Sequence, residues 1–292
     1  MSGTEDASGR YAAIEDWSTP ELTVGIIESQ LAGVAAVLPA AGALATAVDA
    51  TVARLAAGGR LIYAGAGTSG RIAAQDAAEL PPTFAWPYDR AIALMAGGGQ
   101  ALQQAAEGAE DSTEEARAAL AGLKLERNDV VIALAASGRT PYAIAALEYA
   151  REVGALAIGI YNNREGKLGA AADIAIVVDT GPEFLAGSTR MKAGTAQKVA
   201  LNCLSTAVMI RLGFVYRGKM VEMKPTNAKL VLRAGRIVAD LAGCELDVAA
   251  KALEEAGGSI KLATVMLLKS LPRPEAEALL AAGHGNLKAA LG

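Results

Sequence analysis

The sequence is poor in the residues that most often carry catalysis or staple small folds. It has one histidine and two cysteines. Cys203 and Cys244 stand far apart, in apolar helical surroundings and with no C-x-x-C neighbour. That pattern reads as reduced structural thiols rather than a disulfide framework or a zinc site. His284 lies in Gly283-His-Gly285 and reads as a turn residue, so a Ser-His-Asp triad and a His-rich metal site are excluded. Aromatic residues make up only 4% of the 292, against 52% hydrophobic. The core must therefore be built from Ala, Val, Ile and Leu packed around small side chains, which 32 glycines suit. Charge is almost balanced, 27 basic against 31 acidic residues, and no basic stripe marks a reader of nucleic acid. The segment 1–20 lacks the charged start and apolar run of a signal peptide. No apolar run reads as long and unbroken enough to span a bilayer. The expectation is a cytoplasmic protein with neither nucleic acid nor membrane as partner.

Five short apolar runs read as strands buried on both faces: 60–64, 91–96, 129–134, 155–161 and 173–179. Helix-patterned segments separate them, at 69–79, 100–109, 113–123 and 141–153, with a long one at 191–212. Alternating strands and helices predict an α/β fold with a five-stranded parallel sheet and helices on both faces. Ahead of the first strand, 31–57 reads as one Ala-rich helix. After Met220 the pattern is helical only, with Gly and Pro stops, and predicts a small all-helical C-terminal domain. The expected organisation is an N-terminal arm and helix over 1–58, an α/β domain over 59–219 and the helical domain over 220–292.

Gly65-Ala-Gly-Thr-Ser-Gly70 follows a strand and opens a helix, yet the next strand ends in Ala96-Gly-Gly-Gly99 without the acidic residue that a nicotinamide ribose needs. No cofactor is expected. What the loop offers is Gly67 and the hydroxyls of Thr68 and Ser69 at a helix N-terminus, where unpaired N–H groups and the helix dipole favour an anion. A second strand-turn-helix repeats this with Ser137, Gly138, Arg139 and Thr140, followed by Pro141 at the first helical turn. Two such turns at the carboxyl ends of parallel strands can converge on one ligand, most economically a phosphosugar. Helix capping alone would use the same groups. A third stretch, 181–198, gathers Glu183, Ser188, Thr189, Arg190, Lys192 and Lys198 around a helix start, with Glu183 facing either the hydroxyls or solvent. Glu79 is expected to end an apolar helix before the rigid Pro81-Pro82, partly desolvated and so suited to general acid work. Glu107, among small residues, could hold the opposite protonation state.

Gly65-Ala-Gly-Thr-Ser-Gly-Arg71, Ala78-Glu-Leu-Pro-Pro-Thr-Phe84, Glu107-Gly-Ala-Glu-Asp111, Ala136-Ser-Gly-Arg-Thr-Pro-Tyr142, the block from Gly187 to Lys198 and Thr226-Asn-Ala-Lys229 together resemble the N-acetylmuramic acid 6-phosphate etherases. The same blocks are similar, more loosely, to the glucokinase regulatory protein, a phosphosugar binder without turnover. The resemblance implies an SIS-type three-layer αβα sandwich, a homodimer, and cleavage of a D-lactyl ether in cell-wall amino sugar recycling. It implies Glu79 as proton donor and Glu107 as the second catalytic carboxylate, with Thr68, Ser69, Ser137 and Thr140 on the phosphate. Gly67, Gly138, Arg139, Glu183 and Ser188 complete the expected substrate-binding set. Leu80 stands where the family has Cys, and Trp17 in the N-terminal arm has no family counterpart. An aldose-ketose isomerase is a further alternative, since it would share the enolate chemistry but need no acid for a leaving group.

Overall fold

A computed structural model of the protein describes residues 3–104, 106–225 and 227–292. Ala105 and Thr226, which belong to segments discussed above, lie outside the described residues. The chain forms two compact units, one comprising residues up to Ala78 with Tyr88–Thr206, the other Glu79–Pro87 with Ala207–Gly292.

The first unit is built on five parallel strands, β1 (Leu61–Gly65), β2 (Ala91–Met95), β3 (Val130–Ala135), β4 (Leu156–Tyr161) and β5 (Ile174–Val177). Their order across the sheet is β2-β1-β3-β4-β5, the α/β sheet that the sequence predicts. Every residue of β1, β3 and β4 is buried, which explains why these runs are apolar throughout rather than alternating. One face, carrying Ile62, Ala64, Val131, Ala133 and Ala157, packs on α4 (Thr113–Gly122) and α5 (Pro141–Glu152). The other face carries Tyr63, whose hydroxyl donates to Asp76 Oδ2 at 2.9 Å on α3 (Gly67–Phe84). Asp76 Oδ1 in turn accepts from Asn202 and Ser205, both at 3.2 Å, on α7 (Lys192–Arg211). Burial and the neighbouring Asp76 push the Tyr63 hydroxyl well above the ordinary tyrosine range, so it acts in this network as a permanent donor.

At the amino ends of the strands, Arg60 and the buried Asp129 lock β1 to β3. Asp129 accepts from the Arg60 backbone N–H at 2.9 Å, from its guanidinium at 2.6 and 3.1 Å, and from the Glu126 N–H at 2.8 Å. Burial alone would raise the Asp129 pKa, but the Arg60 and backbone donors together hold it below the ordinary value. A depressed folded-state pKa contributes stability that is complete above the unfolded value, about 3.9, and is lost as the pH falls through the folded one. Asp129→Asn should therefore cost about 2 kcal/mol at pH 7, and should flatten the acid limb of Tm against pH. Unfolding scans at a series of pH values check both effects.

Four expectations are corrected. The single helix over 31–57 is two, α1 (Thr19–Ala35) and α2 (Ala41–Ala56), separated by a 3-10 turn at Leu38–Ala40. Pro39, which lacks an N–H and cannot continue the helical ladder, sits in that turn. The stretch Thr19–Ala56 is, by length and composition, apolar enough to cross a membrane, contrary to the sequence reading. The structure folds it as helices of 17 and 16 residues, each short of the roughly 20 that span a bilayer. α2 lays Leu44, Ala47, Val48 and Leu55 against the sheet. The helix expected over 100–109 is only two 3-10 turns, Gly99–Leu102 and Ala109–Asp111. Among its described residues Ala101 alone is buried, so no tertiary packing repays the cost of helix nucleation. Cys203, expected in apolar surroundings, is exposed.

In the second unit a hairpin of β6 (Val215–Tyr216) and β7 (Lys219–Met220) precedes five helices, α8 (Ala228–Ala242), α9 (Leu246–Glu255), α10 (Ile260–Lys269), α11 (Arg273–Ala282) and α12 (Leu287–Leu291). The hairpin turns on Arg217 and Gly218, both at positive φ, the geometry that suits the twist of a two-residue loop. The helices share a core that includes Val238, Leu253, Ala263, Val265 and Leu287.

Candidate active site

In the sheet order β2-β1-β3-β4-β5 the connection leaving β1 runs to one side and that leaving β3 to the other. The crevice between their carboxyl ends is thus the topological switch point, where open α/β sheets bind ligands. β1 and β3 pair directly, with Gly65 opposite Leu134, so the two hydroxyl-bearing turns stand side by side as the sequence predicts.

The first turn opens α3. Gly67 is exposed at φ +53, and a Cβ there would meet nothing within 4 Å, which leaves the backbone open to a ligand. Thr68 is half-buried and Ser69 buried. The second turn is tighter. Gly138, at φ +67, would place a Cβ 2.7 Å from Gly166 Cα and 2.8 Å from the Tyr161 ring, so only glycine fits. Ser137 Oγ accepts from the Arg139 N–H at 3.1 Å. Thr140 is the N-cap of α5 without a side-chain cap bond, so its hydroxyl is not spent on the helix. Arg139 is exposed and lies 3.5 Å from Glu165.

Glu107 sits in the loop after β2. Together with Ala66, Gly67, Arg71, Met95 and Glu110 it lines a cavity of about 140 Å³ beside the first turn. Arg71 holds that loop in place, donating to the Ala101 and Leu102 carbonyls at 2.9 and 3.1 Å. Glu107 is exposed. Glu79 does not end its helix: α3 continues through Pro81 and Pro82 to Phe84. Packing extends it, for Leu80, Pro81, Phe84 and Trp86 are buried in the second unit. The Phe84 and Trp86 rings lie 6.5 and 5.6 Å from Phe214, and this burial outweighs poor helical propensity. Glu79 itself is exposed, so the partial desolvation expected of it is absent within this chain. It belongs to the second unit and Glu107 to the first.

Glu183 faces neither hydroxyls nor solvent. Fully buried, its carboxylate accepts the Lys192 and Ala193 backbone N–H groups, both at 2.8 Å, and so caps α7. The anion expected at this third helix start is thus supplied by the chain itself. Ser188 is half-buried in the loop ahead of α7, where its N–H donates to the Leu185 carbonyl at 2.9 Å. Lys192 is buried with Nζ donating to the Pro182 carbonyl at 2.5 Å. Desolvation lowers its pKa despite the nearby Glu183 and Asp179. Trp17 and Tyr11 of the N-terminal arm enclose the neighbouring Phe184, with centroids 5.9 and 4.7 Å away.

Sequence reasoning missed a buried chain of amides. Ser69 Oγ donates to Gln197 Oε1 at 2.9 Å, Gln197 Nε2 to Asn162 Oδ1 at 3.0 Å, and Asn162 Nδ2 to the Val178 carbonyl at 3.0 Å. Gln197 and Asn162 are both fully buried. No local pattern marks it, since Gln197 stands among the polar residues Lys192, Thr195 and Lys198 at the start of α7. Among the described residues no group of three or more His, Cys, Asp or Glu could hold a metal ion.

Two family models match, the glucokinase regulatory protein N-terminal SIS domain over residues 43–151 and the SIS domain over residues 112–207. The chain is 46% identical over 289 residues to the N-acetylmuramic acid 6-phosphate etherase of Deinococcus radiodurans, covering 99% of this chain and 95% of that one. It is 51% identical over 248 residues to the enzyme of that name from Streptomyces coelicolor, covering 85% and 80%. Among solved structures, a protein of Escherichia coli shares the fold with TM-score 0.51 at 19% identity, over 69% of this chain and 97% of that one.

Proposed function

The chain belongs to the N-acetylmuramic acid 6-phosphate etherase family, and we propose that it cleaves the D-lactyl ether of N-acetylmuramic acid 6-phosphate to N-acetylglucosamine 6-phosphate and D-lactate. The observation that carries this reading at the site is the cavity that Glu107 and the open backbone at Gly67 line together, beside the two hydroxyl-bearing turns at the β1/β3 switch point. In this reading the turns hold the phosphate through backbone N–H groups and through Thr68, Ser137 and Thr140. With the sugar ring open, the C1 aldehyde acidifies the C2 proton. Glu107 removes that proton, the C3–O bond breaks, and Glu79 protonates the departing lactate oxygen. Water then adds at C3 and a proton returns to C2. The role is amino sugar catabolism in peptidoglycan recycling, in the cytoplasm.

The route fixes where solvent atoms go. Turnover in ¹⁸O-water should place the label at C3 of N-acetylglucosamine 6-phosphate and leave the lactate unlabelled, as read by mass spectrometry. Label in the lactate would mean that the bond broken is on the lactyl side, and would reject the elimination.

We further propose a homodimer. On α1, Val24, Ile27, Leu31 and Val34, with Leu38 just beyond, are exposed at 43–79% and recur at three- and four-residue steps. This is the a/d seam that pairs one helix with another. Leu31→Glu should halve the mass found by light scattering; an unchanged mass would place the dimer contact elsewhere.

A further inference from the structure

The chain of amides behind the ligand turns has a direction that chemistry fixes. Val178 offers a carbonyl, which only accepts, so Asn162 must present Nδ2 to it and turn Oδ1 toward Gln197. Gln197 must then present Nε2 to Asn162, which turns its Oε1 toward Ser69. An acceptor facing Ser69 takes the one hydrogen that its hydroxyl has. The relay runs from the end of β5 by way of β4 and α7 to the first turn of α3, and its two amides are wholly shut off from water. Reversal at any link would bring two acceptors or two donors together without solvent, which is costly in the interior.

We propose that Gln197 and Asn162 are positioning residues that hold Ser69 as an acceptor-only group in the ligand turn. Ser69, with its hydrogen committed, does not donate to a phosphate oxygen; its lone pairs receive a hydroxyl or amide N–H of the sugar. The phosphate is left to the backbone N–H groups and to the hydroxyls of Thr68, Ser137 and Thr140. This corrects the role that the resemblance implies for Ser69, and it rests on the phosphosugar reading above only for the identity of the ligand.

The test uses the full chain and two probes, N-acetylglucosamine 6-phosphate and inorganic phosphate, with Kd measured by calorimetry so that no turnover is needed. Ser69→Ala should weaken the sugar phosphate about fivefold or more and leave inorganic phosphate within about twofold of the wild type. Equal weakening of both probes would show that Ser69 donates to the phosphate, and no change in either would show that Ser69 only braces the fold; each overturns the proposal. Gln197→Glu gives a second reading. Protonated, its carboxyl can accept from Ser69 and donate to Asn162, restoring the polarity; ionised, it cannot do both. Sugar-phosphate affinity of this variant should approach the wild type at low pH and fall as the carboxyl ionises, while Gln197→Met stays weak throughout. An affinity of Gln197→Glu that follows the wild type at every pH would contradict the relay. Failure of the wild-type chain to bind the sugar phosphate is a separate result, which would overturn the phosphosugar reading and this proposal with it.

Discussion

Glu107→Gln is expected to lower kcat for lactate release by about a hundred- to ten-thousandfold, the usual range for losing a positioned acid or base, and to stop exchange of the C2 proton with solvent. Glu79→Gln should lose lactate release to a similar degree yet still wash deuterium into C2 of the unconverted substrate, because proton removal precedes departure of the ether oxygen. The asymmetry follows from the two assigned roles. Glu107 lines the cavity beside the open turn at Gly67, where a base must reach the sugar, whereas Glu79 is assigned only the leaving group. NMR of the substrate in D2O reads the exchange, and a coupled assay reads the lactate. An isomerase using the same enolate would keep its turnover in Glu79→Gln. If C2 exchange vanishes in Glu79→Gln and persists in Glu107→Gln, the roles are reversed.

The second large effect is on stability. Glu183→Ala should cost about 3 kcal/mol, because it leaves the buried Lys192 and Ala193 N–H groups without their charged acceptor at the start of α7. For a chain of this size that is a fall in Tm of about 6–12 °C. Glu183→Gln should recover part of the loss, since one oxygen still accepts while its amide meets the second N–H as a donor. Thermal unfolding of the two variants beside the wild type checks the order. A Tm unchanged in Glu183→Ala would mean that the cap contributes nothing and that Glu183 is kept for the ligand.

Much of this was legible in the sequence, for physical reasons that can be named. The central strands β1, β3 and β4 were visible because residues buried on both faces leave unbroken apolar runs, as in Val130–Ala135; the edge strands β2 and β5 are apolar too, though only partly buried. The paired turns were visible because the same strand, Ser-Gly-Arg turn and helix occur twice, at 61–71 and 130–140. What escaped depends on long-range packing. Nothing local shows that Leu80, Phe84 and Trp86 find burial in the second unit, which carries α3 through two prolines. Glu183 could be placed near a helix start but not aimed, because its partners are backbone N–H groups whose direction only the folded loop sets. The same holds for Gln197 and Asn162, which lie 35 residues apart and acquire meaning only when α7 crosses the ends of β4 and β5. The segment 100–109 misleads in the other direction: alanine-rich sequence favours a helix, but among its described residues only Ala101 is buried, and instead of a helix there are 3-10 turns at Gly99–Leu102 and Ala109–Asp111, with Glu107 between them at the cavity.

The most direct test of the account is D-lactate release from N-acetylmuramic acid 6-phosphate by the purified chain in the presence of EDTA, with the double variant Glu79→Gln/Glu107→Gln beside it. Two carboxylates that perform the proton transfers predict stoichiometric lactate from the wild type and none above background from the double variant. Wild-type protein that binds the phosphosugar and releases no lactate, or a double variant that releases it at the wild-type rate, would contradict the account.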